Sequence, residues 1–292
     1  MPRSRFSATV VPVLVLLVSM ASIQTGASLA KSLFPVVGAQ GVTAARLVFA
    51  ALIMLAVLRP WRTPLARASL PALIAYGVTL GGMNLMFYMA MRTVPLGIAV
   101  ALEFTGPLAV ALYYSRKPID FLWIGLAVCG LWLLLPIGDL GQGVDPLGAG
   151  LALAAGVCWG AYIIFGQRAG SSMGTQGAAL GVTIAAICIA PVGLVSAGSS
   201  LFDVHLLPAL LGVAVLSSAL PYTLEMIALT RLPTRTFGTL MSIEPAFGAL
   251  SGLLFLGETL TQLQWLAIGA IILASVGTTL CSRPKAPLVA AD

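Results

Sequence analysis

Charged side chains are scarce in this sequence. Asp, Glu, Lys and Arg together make up only 8% of the 292 residues, about a third of the roughly 25% found in soluble domains. Apolar residues account for 59%, and the mean hydropathy is +1.04. A water-soluble fold cannot cover this much apolar surface, so we expect lipid to surround most of the chain.

Histidine, paired cysteines and cofactor motifs are also rare or missing. The single histidine, His205, and the four cysteines are not spaced as metal ligands, so we predict no metal and no disulfide, with the cysteines as small packing residues. No G-x-x-x-x-G-K-[ST] motif occurs, which argues against ATP as the energy source. We predict no cofactor, and the absence of Lys/Arg runs predicts no nucleic-acid partner.

What the sequence does contain is a series of long apolar runs. Each is roughly 17–25 residues long, enough to cross the ~30 Å hydrocarbon layer of a bilayer. Backbone polar groups in lipid must be satisfied within the segment, so each run is predicted to be a helix. The predicted fold is an all-α integral membrane protein with ten transmembrane helices, the seventh broken by Pro191. The runs are Val10–Ala30, Ala39–Leu58, Leu70–Met91, Gly97–Tyr114, Phe121–Pro136, Leu147–Gly166, Thr175–Ala197, Leu206–Leu229, Phe237–Leu256 and Leu263–Cys281.

Basic residues are distributed unevenly between the predicted loops. With the N-terminus in the cytoplasm, Lys31 and Arg92 fall on the outer side and Arg46 lies within the second span. The other twelve of the fifteen basic residues are cytoplasmic. This positive-inside pattern predicts a multi-pass membrane protein with both termini cytoplasmic. The cytoplasmic residues are Arg3, Arg5, Arg59, Arg62, Arg67, Arg116, Lys117, Arg168, Arg231, Arg235, Arg283 and Lys285.

The two halves of the chain repeat one another weakly. Each half holds five spans, an odd number, so the second half crosses the membrane in the opposite sense to the first. We therefore predict two inverted five-helix repeats, at 8–138 and 146–282, an arrangement typical of secondary transporters. Four residue pairs recur at an offset of 137 or 138: Pro95 with Pro233, Pro107 with Pro245, Asp120 with Glu258, and Lys31 with Arg168.

Three glutamates within the apolar runs are the first candidates for a binding or coupling site. Glu103 falls in the fourth run, Glu225 in the eighth and Glu244 in the ninth. A charge at membrane depth costs about 2.5–3.5 kcal/mol, so such residues usually face a cavity, a partner or a proton path. The alternative, that a glutamate near a helix end simply reaches the headgroups, stays open, chiefly for Glu225.

Two prolines sharpen this prediction. Pro107 cannot donate to the carbonyl of Glu103, and Pro245 cannot donate to that of Met241, so both helices should kink beside a carboxylate. Kinked helices with polar groups at corresponding places of inverted repeats are typical of a binding site near the bilayer midplane. The alternative is that the prolines only shape helix packing.

Other polar and aromatic residues could line the same cavity. Amides in lipid need partners, whereas packing or an interfacial position stays an equal alternative for the aromatic residues. Arg46 could pair with a carboxylate or extend to the interface, and the sequence leaves both open. These additional candidates are Gln24, Asn84, Tyr88, Trp159, Tyr162 and Tyr222.

Longer stretches of the sequence resemble a known family. The two five-helix halves are similar to the EamA-type ten-helix members of the drug/metabolite transporter superfamily. Three stretches closely resemble the bacterial threonine/homoserine exporters among them: Ala21–Arg46, Gly81–Leu112 with its core PLGIAVALEFTGPLAVAL, and Pro221–Thr261. The similarity covers nearly the whole chain, except the N-terminal dozen residues, 138–145 and the C-terminal tail.

The resemblance implies a protein of the bacterial inner membrane that exports threonine and homoserine, which are small neutral amino acids, from the cytoplasm. An intramembrane glutamate would pair with the substrate ammonium, and proton antiport through Glu225 or Glu103 would drive export. The expected partners are the amino acid, protons and the lipid bilayer; whether the chain is a monomer or a homodimer stays open. The family's fold implies a central cavity between spans that here carry Gln24, Asn84, Glu103, Trp159, Glu225 and Glu244.

Two alternatives to this function remain. The nearer one is an exporter of another metabolite or a drug within the same superfamily. The remote one is an intramembrane enzyme, which would need a nucleophile with its base, or metal ligands, inside the bilayer. No histidine or aspartate lies within a predicted span, so we do not expect an enzyme.

Overall fold

The computed structural model describes residues 5–62, 69–114, 118–134, 144–173, 175–231 and 240–281. Within these ranges the regular structure is helical and no strand is present, which confirms the prediction of an all-α chain. The predicted repeat ends at 138 and 282, Pro136 at the end of the fifth run, and residues 237–239 of the ninth run lie outside the described residues.

The described helices follow one another in chain order. A 3₁₀ turn at Pro60–Arg62 follows the second helix, and another at Gly198–Phe202 follows the eighth. The helices are α1 (Arg5–Ser32), α2 (Phe34–Leu58), α3 (Leu70–Ala90), α4 (Leu96–Glu103), α5 (Thr105–Tyr114), α6 (Asp120–Leu134), α7 (Pro146–Met173), α8 (Thr175–Ala197), α9 (Leu207–Ala214), α10 (Leu220–Arg231), α11 (Glu244–Leu256) and α12 (Gln262–Cys281).

Most of these helices have the length and composition of membrane segments. Six stretches of the described chain are long and apolar enough to cross a bilayer. Large apolar side chains stay exposed on their outer faces, among them Val195 at 89% and Phe121 at 77%. A soluble monomer rarely exposes so much apolar surface, so lipid is the medium that covers these faces. The six stretches are Val11–Ser32, Phe34–Leu58, Leu70–Ala90, Pro146–Gly166, Gln176–Phe202 and Leu207–Glu225; shorter apolar helices are Leu96–Val110, Phe121–Gly130, Glu244–Leu256 and Gln262–Gly277.

Glycines allow the interior helices to approach one another closely. α2 packs against α8, α3 against α7 and α8, and α4 against α7 and α11. A Cβ on Gly156 of α7 would lie 2.6 Å from the Glu103 carbonyl oxygen, and a Cβ on Gly248 of α11 would lie 3.0 Å from Val100 Cγ2. Each of these two glycines is the first of a G-x-x-x-G pair, and both lie where neighbouring helices pack closely together.

Two helices are interrupted beside the prolines that the sequence singles out. α4 ends at Glu103 and α5 begins at Thr105, since Pro107 has no N–H to offer the Glu103 carbonyl. α11 begins at Glu244 after a turn, with Pro245 at its start. The fourth run therefore consists of two helices, and a turn interrupts the chain beside each of the two prolines.

Two further prolines have different effects. A π-helical turn at Val215–Ala219 separates α9 from α10 and ends just before Pro221; within it the Leu220 N–H donates to the Val215 carbonyl. Pro191, in contrast, lies inside α8, which continues through it to its end. The predicted break of the seventh span is therefore wrong, because membrane helices tolerate a proline where neighbouring groups satisfy the freed carbonyl.

Candidate functional site

The three glutamates of the apolar runs come from three different helices. Glu103 is the last residue of α4, Glu225 lies in α10, and Glu244 is the first residue of α11. Glu103 and Glu244 are buried, and Glu225 is half-buried. Glu103 interacts electrostatically with Glu244, and Glu244 with Glu225. The structure thus brings these predicted site residues into one group, which we call the polar cluster.

Gln24 joins the polar cluster from α1. Its Nε2 donates to Glu244 Oε1 at 3.2 Å, and Glu244 lies at the N-terminus of α11, where the helix dipole favours a negative charge. Gln24 Oε1 and Glu244 Oε2 are buried and have no hydrogen-bond partner among the described residues. Buried acceptors are rarely left in this state, so the pair offers a place for a donor such as an ammonium group.

Glu225 interacts with a serine of α1 and, electrostatically, with a pair of tyrosines. The Ser19 hydroxyl is 3.4 Å from Glu225 Oε1 and 3.1 Å from the Pro221 carbonyl oxygen, and can donate to either. Tyr76 donates to the hydroxyl of Tyr162 at 3.5 Å, with the ring centroids 4.9 Å apart. Both tyrosines interact electrostatically with Glu225. The predicted residues Tyr162 and Glu225 therefore influence each other electrostatically, and Ser19 and Tyr76 are additions to the predicted set.

Arg46 of α2 is the cationic part of the polar cluster and is only 2% exposed. Its Nη2 donates to Asn84 Oδ1, its Nη1 donates to the Ser217 carbonyl at 3.2 Å, and its Cζ lies 4.4 Å from the centre of the Tyr88 ring. The guanidinium interacts electrostatically with Glu103. Neither alternative left open by the sequence applies, since Arg46 does not extend to the interface and forms no ion pair within the described ranges.

The Ser217 carbonyl accepts from Arg46 because the helix cannot supply a donor there. Pro221 has no N–H, so the carbonyls of Leu216 and Ser217, five and four residues earlier, lose the donor that a π or α pattern would give them. The Ser22 hydroxyl of α1 donates to Leu216 at 2.7 Å, and Arg46 donates to Ser217. Side chains of α1 and α2 thus satisfy both carbonyls and connect the π turn to the polar cluster.

The remaining predicted residues border the polar cluster. Asn84 is anchored to its own helix, since its Nδ2 donates to the Leu80 carbonyl at 2.7 Å. Tyr222 interacts electrostatically with Arg46. Trp159 of α7 packs edge-on against Phe104, with ring centroids 5.6 Å apart. Trp159 therefore makes an aromatic contact at the break between α4 and α5.

A separate polar contact joins the C-terminal end of α1 to the segment after α11. Lys31 Nζ lies 2.6 Å from Glu258 Oε1, and it also donates to the Val94 carbonyl at 3.0 Å. The second oxygen of Glu258 accepts from the Leu96 N–H at 2.7 Å. Gly257 places Glu258 there by adopting a left-handed conformation, φ 65°, that favours glycine. We call this group the Lys31–Glu258 contact.

Thr93 and Asp145 tie the turn before α4 to the start of α7. The Thr93 hydroxyl donates to Asp145 Oδ2 at 2.8 Å, and the Gly148 N–H donates to the same oxygen at 2.8 Å. These hydrogen bonds lower the pKa of Asp145 below its usual value, and the one from Thr93 has the largest effect, because they stabilise the ionised carboxylate.

Comparisons with known proteins identify the relatives of this chain. The profile of the EamA-like transporter family matches residues 146–280. The threonine/homoserine exporter RhtA of Salmonella typhimurium is 60% identical over 281 residues, which cover 96% of this chain and 95% of that protein. The protein of the same name from Escherichia coli K12 is 59% identical over the same shares.

A more distant sequence relative and a structural match are also found. The uncharacterized inner membrane transporter YedA of Escherichia coli K12 is 28% identical over 78% of this chain and 76% of its own length. A solved crystal structure superimposes with a TM-score of 0.62 at 18% identity, covering 95% of this chain and 98% of the other. With its all-helical fold, its lipid-facing apolar surfaces and these relatives, the chain belongs to the EamA-like transporter family and is a multi-pass membrane protein.

Proposed function

We propose that this chain is a secondary transporter that exports threonine and homoserine across the bacterial inner membrane. The observation that carries the proposal is 60% identity, along 96% of the chain, to a protein named a threonine/homoserine exporter. The polar cluster supports it, since a zwitterionic amino acid brings an ammonium, a carboxylate and a hydroxyl. The cluster offers buried acceptors on Gln24 and Glu244, and a buried guanidinium on Arg46.

The proposed architecture is ten spans in two inverted repeats, 8–138 and 146–282, with both termini cytoplasmic. The break between α4 and α5 falls at Phe104 and the turn before α11 begins at Ser242, a separation of 138 residues that equals the repeat offset. The family match at 146–280 coincides with the second repeat. Interrupted helices at equivalent places of inverted repeats are typical of transporter sites at the bilayer midplane.

The Lys31–Glu258 contact closes the outer side of the proposed path. It joins α1, the start of α4 and the segment after α11 through an ion pair and two further hydrogen bonds, so these elements cannot separate while it is intact. The repeat-equivalent residues are Arg168 and Asp120. In the alternating-access cycle, this second pair would close the cytoplasmic side while the outer side is open.

Proton antiport is the proposed drive. Coupling requires a group that binds a proton in one part of the cycle and releases it when substrate binds. Glu225, within reach of the Ser19 hydroxyl, and Glu103, within electrostatic reach of Arg46 and Glu244, are the proposed coupling carboxylates. A glutamine at either position keeps the shape of the side chain and removes the titrating group.

The direct test expresses the chain in a bacterial strain that lacks its own threonine exporters. Wild-type protein should raise tolerance to threonine and homoserine and accelerate efflux of preloaded labelled threonine. Glu225→Gln should lose both effects at equal expression, whereas Asp203→Asn, which removes an exposed carboxylate from a loop, should keep both. Well-expressed wild-type protein without effect on either amino acid would refute the substrate assignment.

A further inference from the structure

Arg46 is a buried cation whose present contacts are all with uncharged groups. The side chain is 2% exposed, and its contacts are the amide oxygen of Asn84, the carbonyl of Ser217 and the ring of Tyr88. Removing an ion from water has a large free-energy cost that neutral partners offset only in part. A cation in this setting is therefore suited to an anionic partner.

The guanidinium also has an unused donor. Arginine carries five N–H groups in a planar fork, and the Nε–H of Arg46 is buried without a hydrogen-bond partner among the described residues. The hydroxyl of Tyr88, whose ring lies under the guanidinium, is likewise buried without a partner in that part of the chain. A planar anion that accepts along the edge of the fork, as a carboxylate does, would satisfy Nε.

The polar cluster has opposite chemistry on its glutamate side. Glu103 and Glu244 provide carboxylates there, and Gln24 Oε1 and Glu244 Oε2 are buried acceptors without donors in the described structure. Arg46 interacts electrostatically with Glu103 but forms no ion pair with it. A ligand with an anionic and a cationic end would complement both sides of the cluster.

We propose that Arg46 binds the α-carboxylate of the transported amino acid through its Nε edge, while Asn84, Ser217 and Tyr88 hold the guanidinium in position. This inference rests on the proposed function, because an amino-acid zwitterion supplies the carboxylate. It adds a specificity rule to that function: a substrate must carry an anionic group at this end. Amino-acid amides and amino alcohols of the same size would be excluded.

The test compares L-threonine with L-threoninamide, which keeps the ammonium and the hydroxyl but lacks the carboxylate. Each unlabelled compound competes with labelled threonine for transport by the purified full chain in liposomes. In the wild-type chain threonine should compete at least about tenfold better than threoninamide, and Arg46→Gln should weaken threonine roughly 10- to 100-fold, the range expected for a lost hydrogen-bonded charge. Threoninamide should change little, so the preference disappears.

Two further variants separate binding from a structural role. Asn84→Asp would place a carboxylate where Arg46 already donates, so it should pair with the guanidinium and abolish the preference for threonine, although it also loses the hydrogen bond from Asn84 Nδ2 to the Leu80 carbonyl. Arg46→Lys keeps the charge and should retain part of the preference. Arg59→Gln, which removes an exposed cation at the C-terminal end of the same helix, is the matched control and should leave the preference intact.

The outcomes distinguish this inference from the proposed function. A wild-type chain that does not transport threonine refutes the proposed function, and this assignment with it. A wild-type chain that transports threonine, with the wild-type preference kept in Arg46→Gln, or with both compounds weakened in parallel, overturns the assignment alone. If Arg46→Gln does not fold, Asn84→Asp decides: a retained preference for threonine overturns the assignment, and a lost preference supports it.

Discussion

Replacing Lys31 by glutamine tests whether the Lys31–Glu258 contact holds the outer side of the transport path closed. The substitution removes the charge that lies 2.6 Å from Glu258 Oε1. Glu258 keeps its hydrogen bond from the Leu96 N–H, so the segment after α11 retains one anchor. The expected result is a shift toward the outward-open conformation and not a loss of fold.

The size of the shift follows from the burial of the pair. The two side chains are 20% and 15% exposed, between an exposed ion pair, which contributes about 0.2–1 kcal/mol, and a buried pair, whose truncation costs about 2–5 kcal/mol. A value of roughly 1–3 kcal/mol is therefore expected. At about 1.4 kcal/mol for each factor of ten, this moves the equilibrium by roughly 5- to 150-fold.

A cysteine at Val94 provides the assay, since this residue is fully buried beside the contact. In a background in which the native cysteines are replaced, the rate at which a membrane-impermeant maleimide labels Val94→Cys should rise with Lys31→Gln. Arg92→Gln, which removes an exposed cation from the same turn, should not change it. The exchanged pair Lys31→Glu with Glu258→Lys should restore slow labelling. Slow labelling in a folded Lys31→Gln variant would refute the closing role of the contact.

Two further substitutions test the packing and the electrostatics of the fold. Gly156→Ala should destabilise the purified chain by about 1–3 kcal/mol through overpacking, because the added Cβ would lie 2.6 Å from the Glu103 carbonyl oxygen. Gly150→Ala, in the same helix, is the control: its Cβ meets nothing within 4 Å, so it should be neutral or stabilising. Equal melting temperatures of the two variants would contradict this prediction. Thr93→Val should lower stability at neutral pH by removing the hydroxyl that lowers the pKa of Asp145. The stabilisation by this hydrogen bond is lost when the Asp145 carboxylate is protonated. The difference in stability between Thr93→Val and wild type should therefore shrink as the pH falls through the lowered pKa. A difference that stays constant with pH would exclude this hydrogen bond as its cause.

The helical class of the fold could be predicted because lipid leaves the backbone few choices. An apolar run long enough to cross the bilayer must satisfy its own hydrogen bonds, and this condition can be checked locally along the sequence. The glutamates could be singled out for the same reason, since a carboxylate in an apolar run is costly. Glu103, Glu225 and Glu244 do converge in the structure, although their roles stay predictions.

Features that depend on distant parts of the chain could not be predicted. Pro221 gives a local signal, but the π turn before it is completed by Ser22 and Arg46, 194 and 171 residues away from the carbonyls they satisfy. The partner of Lys31 is 227 residues away. Whether Pro191 interrupts its helix could not be predicted either, because groups on neighbouring helices determine whether the carbonyl freed by a proline is satisfied.

Transport by the purified chain in liposomes shows directly whether the protein exchanges threonine for protons. Labelled threonine is loaded inside, and a proton gradient is imposed across the membrane in either direction. We expect saturable threonine efflux that unlabelled homoserine inhibits and that one direction of the proton gradient accelerates. In Glu225→Gln or Glu103→Gln this acceleration should be lost. Threonine efflux no faster than from protein-free liposomes, under either gradient, would contradict proton-coupled threonine export.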